Sequence, residues 1–241
     1  MAVNPDWPRG EAIRLEGVSV RRGGAEILRG VDLAFEPGRR HVLIGASGAG
    51  KSTLLRLLNR LDDPDGGRIL VGGRDLASIP PREVRAAVGL VVAAARPLPG
   101  TVAENLLYPH RVRGRSGPDR DAQAASLDAF GLDPAWLDRD ARELSTGERQ
   151  RLAIATALGA GPEILALDEP TAALDPASAR RVAEILAAKA RDEGLRTIVA
   201  THDRAHAGRL GDVGIRMDAG RVVDVGPIAE VLGRAGRAGH A

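Results

Sequence analysis

Gly45-Ala46-Ser47-Gly48-Ala49-Gly50-Lys51-Ser52 is the stretch on which the reading of this chain turns. Its pattern, G-x-x-x-x-G-K-S, is that of a phosphate-binding loop. Glycines at 45, 48 and 50 let the backbone curl so that its N–H groups converge on an anion. Lys51 supplies a point charge for β- and γ-phosphates, and Ser52 a hydroxyl for Mg²⁺. The flanks agree. His41-Val42-Leu43-Ile44 reads as a short buried strand. Thr53 to Leu61 reads as a helix with Leu54, Leu55, Leu58 and Leu61 on one face. Strand, loop and helix together place the phosphates at a helix N-terminus, where dipole and free N–H groups favour anions. Gly45, Ala46, Ser47, Gly48, Ala49, Gly50, Lys51, Ser52 and Thr53 are therefore the candidate nucleotide-binding residues.

The 241 residues are ample for a buried core, and aromatics make up only 2% of them. Leu, Val, Ile and Ala must fill that core. There is no cysteine, which excludes disulfides and thiolate metal sites and fits a reducing compartment. No run of 18 apolar residues is present to cross a membrane. Met1 to Pro8 lacks the basic and apolar regions of a signal peptide. The net charge is +2. The basic run Arg111 to Arg115 and the tail 233–241 read as a solvated loop and tail, so no nucleic-acid partner is expected.

Strand-like alternation covers Ile13–Val20 and Glu26–Phe35, and Arg68–Val71 follows a Gly-Gly turn. From Pro80 to Ala160 the reading is mostly helical, interrupted by prolines and the loop at 114–118. Ile164–Leu167 and Thr197–Ala200 are short buried strands. Between them Asp175-Pro176 opens a helix, with Asp as N-cap and Pro in the first turn. That helix buries Val182, Ile185 and Leu186. Arg221–Val225 reads as one arm of an antiparallel hairpin. Strands alternating with helices around a phosphate loop imply a largely parallel α/β sheet.

Further motifs follow in order. Leu165-Ala166-Leu167 ends in Asp168 and Glu169. Asp168 is placed to hold Mg²⁺, directly or through water, and Glu169 to polarise a water for in-line attack. Leu144-Ser145-Thr146-Gly147-Glu148-Arg149-Gln150 precedes a helix read over Arg151–Leu158. By itself it is equally a capping box or a second anion site at a helix N-terminus. Thr201-His202-Asp203 lies just past a buried strand, where a γ-phosphate contact would originate.

Taken together these motifs resemble the nucleotide-binding subunit of ATP-binding cassette (ABC) transporters, over residues 13–232. The resemblance implies a P-loop NTPase of α/β class: a RecA-like core at about 13–92 and 161–232, an antiparallel β arm, and a helical subdomain at about 93–160. Residues 1–12 and 233–241 are expected to be flexible. It implies ATP and Mg²⁺ as cofactors and a head-to-tail pair of such subunits, homo- or heterodimeric. Each ATP would lie between Lys51, Ser52, Asp168, Glu169 and His202 of one chain and Ser145, Gly147 and Glu148 of the other. Asp175 would lie at the seam. Catalysis would fall to Glu169, His202 and Lys51. The partners would be transmembrane permease subunits, and the location the inner face of the cell membrane. Phosphate-type importers and metal- or iron-linked exporters are the nearest types by motif. A non-hydrolysing regulatory cassette and a soluble ABC ATPase acting on nucleic acid or ribosomes are the alternatives.

Four positions depart from the family pattern. Arg22 stands where an aromatic usually stacks on adenine, and a guanidinium plane is expected to replace it. Ala93 stands where a glutamine usually meets Mg²⁺ and water at the membrane-subunit interface. Thr146 replaces a glycine, and Thr156 an arginine. ATP binding with slow hydrolysis is the expectation.

Overall fold

The computed structural model describes residues 7–237. The expectations for residues 1–6 and 238–241 lie outside them. β1 (Ile13–Arg22) and β2 (Ala25–Phe35) form a hairpin. With β4 (Gly66–Val71) and β5 (Arg74–Asp75) they make a four-stranded antiparallel sheet in the order β2-β1-β4-β5. This is the expected β arm.

The second sheet has six strands. β3 (His41–Ile44), β6 (Val88–Val91), β7 (Ile164–Asp168), β8 (Arg196–Thr201) and β9 (Val213–Asp218) run parallel. β10 (Arg221–Pro227) closes one edge antiparallel to β9, so the order is β10-β9-β3-β8-β7-β6. Helices α1 (Lys51–Leu58), α2 (Pro81–Ala87), α6 (Pro176–Glu193), α7 (Arg204–Leu210) and α8 (Ile228–Arg237) flank the sheets. α3 (Val102–Arg111), α4 (Arg120–Ala129) and α5 (Thr146–Gly159), with short 3-10 turns at Pro134–Asp138 and Ala141–Glu143, form the helical subdomain.

The parallel sheet is buried on both faces, and its strands are accordingly continuous apolar runs. Leu43, Ile164, Ala166, Ile198 and Ala200 point into one core, shared with α1 and the antiparallel sheet. Val42, Ile44, Leu165, Leu167 and Val199 point into the other, shared with α5, α6 and α7. With few aromatics the packing is aliphatic. Leu54, Leu55, Leu57 and Leu58 of α1 are all at most 1% exposed.

Several boundaries differ from the sequence reading. α1 stops at Leu58, and Leu61, expected on its buried face, is 43% exposed. Arg60 takes a left-handed φ of 51°, which ends the helix. Its guanidinium donates to the carbonyls of Leu76, Ala77 and Ile79. α5 begins at Thr146 rather than Arg151, because Ser145 is its cap. Val88–Val91, inside the span read as mostly helical, is a strand; a four-residue apolar run carries no periodicity that separates the two. Arg113, expected in a solvated loop, donates to the carbonyls of Ala160 and Ala86.

Residues 233–237 continue α8. Trp7 is 5% exposed, and its indole N–H donates to Glu163 Oε2 at 3.1 Å. Glu163 Oε1 accepts from the Gly10 N–H at 3.0 Å and lies 3.5 Å from Arg196 Nη1. Arg196 in turn donates to the carbonyls of Glu11 and Phe35. One buried guanidinium thus ties the N-terminal segment to β2 and to the entrance of β7. We predict that Arg196→Ala lowers unfolding stability by about 3 kcal/mol, because the Glu11 and Phe35 carbonyls and the half-buried Glu163 carboxylate lose their shared donor together; urea unfolding followed by circular dichroism measures this.

His41, 2% exposed, meets Phe35 edge-on at 5.2 Å. Burial, and then the Arg196 cation, lower its pKa from 6.5 to about 4. Above pH 6.5 the ring is neutral in folded and unfolded chains alike. Between pH 6.5 and 4 only the unfolded chain takes up the proton, so stability falls as pH falls through that window. The loss amounts to about 3 kcal/mol when complete. His41→Leu is expected to flatten this slope in unfolding measured from pH 7 to pH 4.

Candidate functional site

The phosphate loop joins the buried end of β3 to the first turn of α1. Two glycines are required by space. A Cβ on Gly45 would lie 2.3 Å from the Met217 carbonyl oxygen of β9. Gly50, the N-cap of α1, has φ 97°, and a Cβ there would lie 2.7 Å from Leu28 and 3.0 Å from the Ile27 carbonyl. Lys51 is 6% exposed, and its ammonium donates to the carbonyls of Gly45 at 2.7 Å and Ala46 at 3.0 Å. Burial lowers its pKa, opposed by the nearby Glu169 and Asp168. The cation therefore lies over the loop that it serves.

β7 delivers the acidic pair. Burial raises the Asp168 pKa, and a hydrogen bond from Ser52 opposes the rise. Glu169 has a left-handed φ of 46°, a strained conformation for a non-glycine residue. Its N–H donates to Ala200 O at 2.8 Å, which welds the end of β7 to β8. Its carboxylate is clamped. Oε2 accepts from the Thr201 hydroxyl at 3.1 Å, and Oε1 from the His202 N–H at 3.0 Å. His202 Nδ1 lies 2.8 Å from the same Oε1. The Asp203 N–H donates to Thr201 Oγ1 at 3.0 Å, which orients the hydroxyl proton toward Glu169.

These groups line one cleft of about 570 Å³. Ala46 through Thr53 line it together with Asp168, Glu169, His202, Ala93 and Ile27. Gly45 stands at the base of the loop, through the carbonyl that Lys51 grips. The volume suits a nucleotide-sized ligand.

Ser145, Gly147, Glu148 and Asp175 do not line this cleft. Ser145 and Glu148 make a complete capping box: the Glu148 N–H donates to Ser145 Oγ at 3.3 Å, and Glu148 Oε2 accepts from the Ser145 N–H at 2.8 Å. The Thr146 hydroxyl accepts from Arg149 at 3.3 Å. A Cβ on Gly147 would approach the Ala173 carbonyl to 2.9 Å, so the start of α5 sits against the turn after the acidic pair. Asp175 caps α6, accepting from the N–H groups of Ala177 and Ser178, and the hydrogen bonds of Ser178 hold its pKa down to about 2.

Arg22 is not at the cleft either. Its guanidinium is 3.6 Å from Asp65 and 3.8 Å from Asp62, and it donates to the Arg21 carbonyl. Ile27, which the sequence reading missed, is at the cleft because β2 turns its carbonyl toward Gly50 and Gly220. Its contacts with Gly50 and Gly220 lie 23 and 193 residues away in sequence, so local pattern carries no signal for it.

A family profile described as ABC transporter matches residues 28–172. Protein STAR1 of Oryza sativa subsp. japonica is 40% identical over 224 residues, covering 92% of this chain and 64% of that protein. The methionine import ATP-binding protein MetN of Cereibacter sphaeroides is 40% identical over 231 residues, with the same coverage of each. The chain thus spans just under two thirds of the length of these relatives. Among solved structures, a bacterial Atm1-family ABC exporter with ATP bound superposes with a TM-score of 0.83 at 31% identity, covering 95% of this chain and 42% of that one. The dimeric bacterial ABC transporter cassette MJ0796 superposes with a TM-score of 0.80 at 27% identity, covering 90% and 98%. With a phosphate loop, an acidic pair and a capped signature helix on one α/β frame, this chain belongs to the ABC transporter family.

Proposed function

We propose that this chain is the ATP-binding and ATP-hydrolysing cassette of an ABC transporter, paired with a second cassette and driving separate membrane-spanning subunits. The observation that carries this reading is Glu169, fixed by Thr201 and His202 across one cleft from the phosphate loop.

The residues fit a Mg²⁺–triphosphate. The loop at Gly45 and Gly50 has no room for a Cβ and turns backbone toward the cleft. Ser52 and Asp168 offer hard oxygen donors side by side. Two protein ligands suit Mg²⁺, which keeps waters and takes the remaining oxygens from phosphate. When bound, the ion would neutralise charge between the β- and γ-phosphates. Lys51 exchanges two loop carbonyls for phosphate oxygens, a stronger, charge-assisted contact. Glu169, held by two donors, keeps its carboxylate aimed at the water that attacks in line. The contact of His202 Nδ1 with Glu169 leaves Nε2 to meet the γ-phosphate.

Ser145, Gly147, Glu148 and Asp175 lie off the cleft, so a second cassette brings its own set to this ATP. The pairing in MJ0796 supports that arrangement. We place the core at about 13–92 and 161–232, with the helical subdomain between them. A groove of about 300 Å³ beside Leu90, Leu98 and Tyr108, rimmed by Arg85, Arg96 and Arg113, offers the membrane subunits a seat. Such a cassette works at the inner face of the membrane. MetN relatives named for methionine import favour uptake of a small solute over the phosphate-type or metal-linked roles suggested by motif likeness.

One observation favours slow turnover, or in the limit a regulatory cassette. Ala93 lines the cleft with a methyl group that can neither bind Mg²⁺ nor orient water. Ala93→Gln is expected to raise steady-state ATPase activity by at least about tenfold; an unchanged rate means that position 93 is not limiting. Glu169→Gln is expected to lower turnover by about 10²- to 10⁴-fold and to trap an ATP-bound pair visible by gel filtration. Absence of Mg²⁺-dependent turnover both in the unmodified chain and in Ala93→Gln would overturn the enzymatic reading.

A further inference from the structure

Two arginines from different helices close on one helix end. α4 finishes in a turn at Phe130 and Gly131: the Gly131 N–H donates to the Asp128 carbonyl at 2.8 Å, and the Leu132 N–H to the Leu127 carbonyl at 2.9 Å. Gly131 has φ 65°, the left-handed conformation that this kind of cap needs. The turn alone leaves carbonyl oxygens bare at the negative end of the helix. Arg181 of α6 donates from Nε to the Ala129 carbonyl at 2.7 Å and from Nη2 to that of Asp128 at 2.8 Å. Arg151 of α5 donates from Nη1 to the carbonyls of Phe130 at 3.0 Å and Gly131 at 2.6 Å. The consecutive carbonyls 128–131 are thus all held by two guanidinium groups.

The two cations converge. A Cβ on Gly131 would lie 3.1 Å from Nη1 of each. Among the described residues neither arginine has a carboxylate within ion-pair range, so the α4 terminus is what draws them together. α4 and α5 belong to the helical subdomain, while α6 flanks the parallel sheet. The turn therefore staples α5 to α6, and with them the subdomain to the core.

These are also the two helices that start at the proposed seam with a second cassette. Ser145 caps α5 and Asp175 caps α6. Arg151 and Arg181 each lie six residues along from that cap, about 9 Å. Over such an arm a tilt of about 10° moves the helix start by about 1.5 Å, more than a hydrogen bond tolerates. At their starts the helices are tied where Gly147 lies against the Ala173 carbonyl. One tie fixes a point; the second, at the end of α4, fixes an angle.

We propose that Arg181 is a positioning residue for ATP-driven pairing. Through the α4 terminus it sets the angle at which α5 presents Ser145 and Gly147 to the nucleotide held by the second cassette. The proposal rests on the pairing in the function proposed above and deepens it. Arg181 does not line the cleft, so its loss weakens the pair and spares nucleotide binding by the single chain.

The test compares variants of the full chain carrying Glu169→Gln. Sedimentation velocity over a range of chain concentrations in Mg²⁺-ATP follows pairing, and calorimetric titration with Mg²⁺-ADP follows the cleft of the single chain. Arg181→Ala is expected to raise the dissociation constant of the pair by about tenfold or more, with ADP affinity held within about twofold. Arg180→Ala removes the neighbouring exposed arginine, and the same charge, and is expected to leave pairing unchanged. Pairing of Arg181→Ala equal to that of its parent, an equal loss in Arg180→Ala, or a parallel fall in ADP affinity would overturn the inference and leave the proposed function standing. Failure of the parent itself to pair in ATP would overturn the pairing in the proposed function, and this inference with it.

Discussion

The register in which β7 lies against β8 governs the cleft. Asp168 pairs with Ala200, and the Glu169 N–H then closes on the Ala200 carbonyl. A slip of one residue would turn every side chain of β7 to the opposite face. Leu165 and Leu167 would exchange cores with Ile164 and Ala166, and the carboxylates would leave the cleft. The two cores on either side of the sheet therefore fix the acidic pair as firmly as any contact within the site. The left-handed backbone at Glu169 costs about 1–3 kcal/mol, and that buried frame holds it in place.

The same frame explains the aliphatic composition. A sheet covered on both faces takes branched side chains at nearly every position, and Leu, Val, Ile and Ala interleave in thin layers. Polar groups inside this frame are few, and most are spoken for. Arg196 reaches two carbonyls and one carboxylate, and His41 is kept neutral by burial.

Features whose cause is local were legible in the sequence. The helix start after the glycine loop, the Ser145–Glu148 capping box and the Asp175-Pro176 helix start are short-range devices, and each forms as read. An acidic pair after an apolar strand is commonly a solvated strand end; the phosphate loop upstream and the Pro170-Thr171 turn marked Asp168 and Glu169 as candidates, and both line the cleft. Features whose cause is distant were not. Arg22 faces carboxylates forty residues on, and Ile27 reaches the cleft through contacts with Gly50 and Gly220. Leu61 is exposed because Arg60 finds carbonyls at 76–79 and ends the helix early. Trp7 is docked by Glu163, more than 150 residues away. Propensity reports none of these.

Trp7 and Trp136, the only tryptophans, have a spectroscopic consequence. One is fixed behind the parallel sheet beside Glu163, and the other lies in the helical subdomain beneath Arg139. Each indole has its own charged neighbour as an environment. The emission of this chain is therefore the sum of two distinguishable signals, one from each side of the joint between core and helices. A rearrangement at the Pro134–Asp138 turn that separates Trp136 from Arg139 would change one signal and leave the other as an internal reference, with no added label.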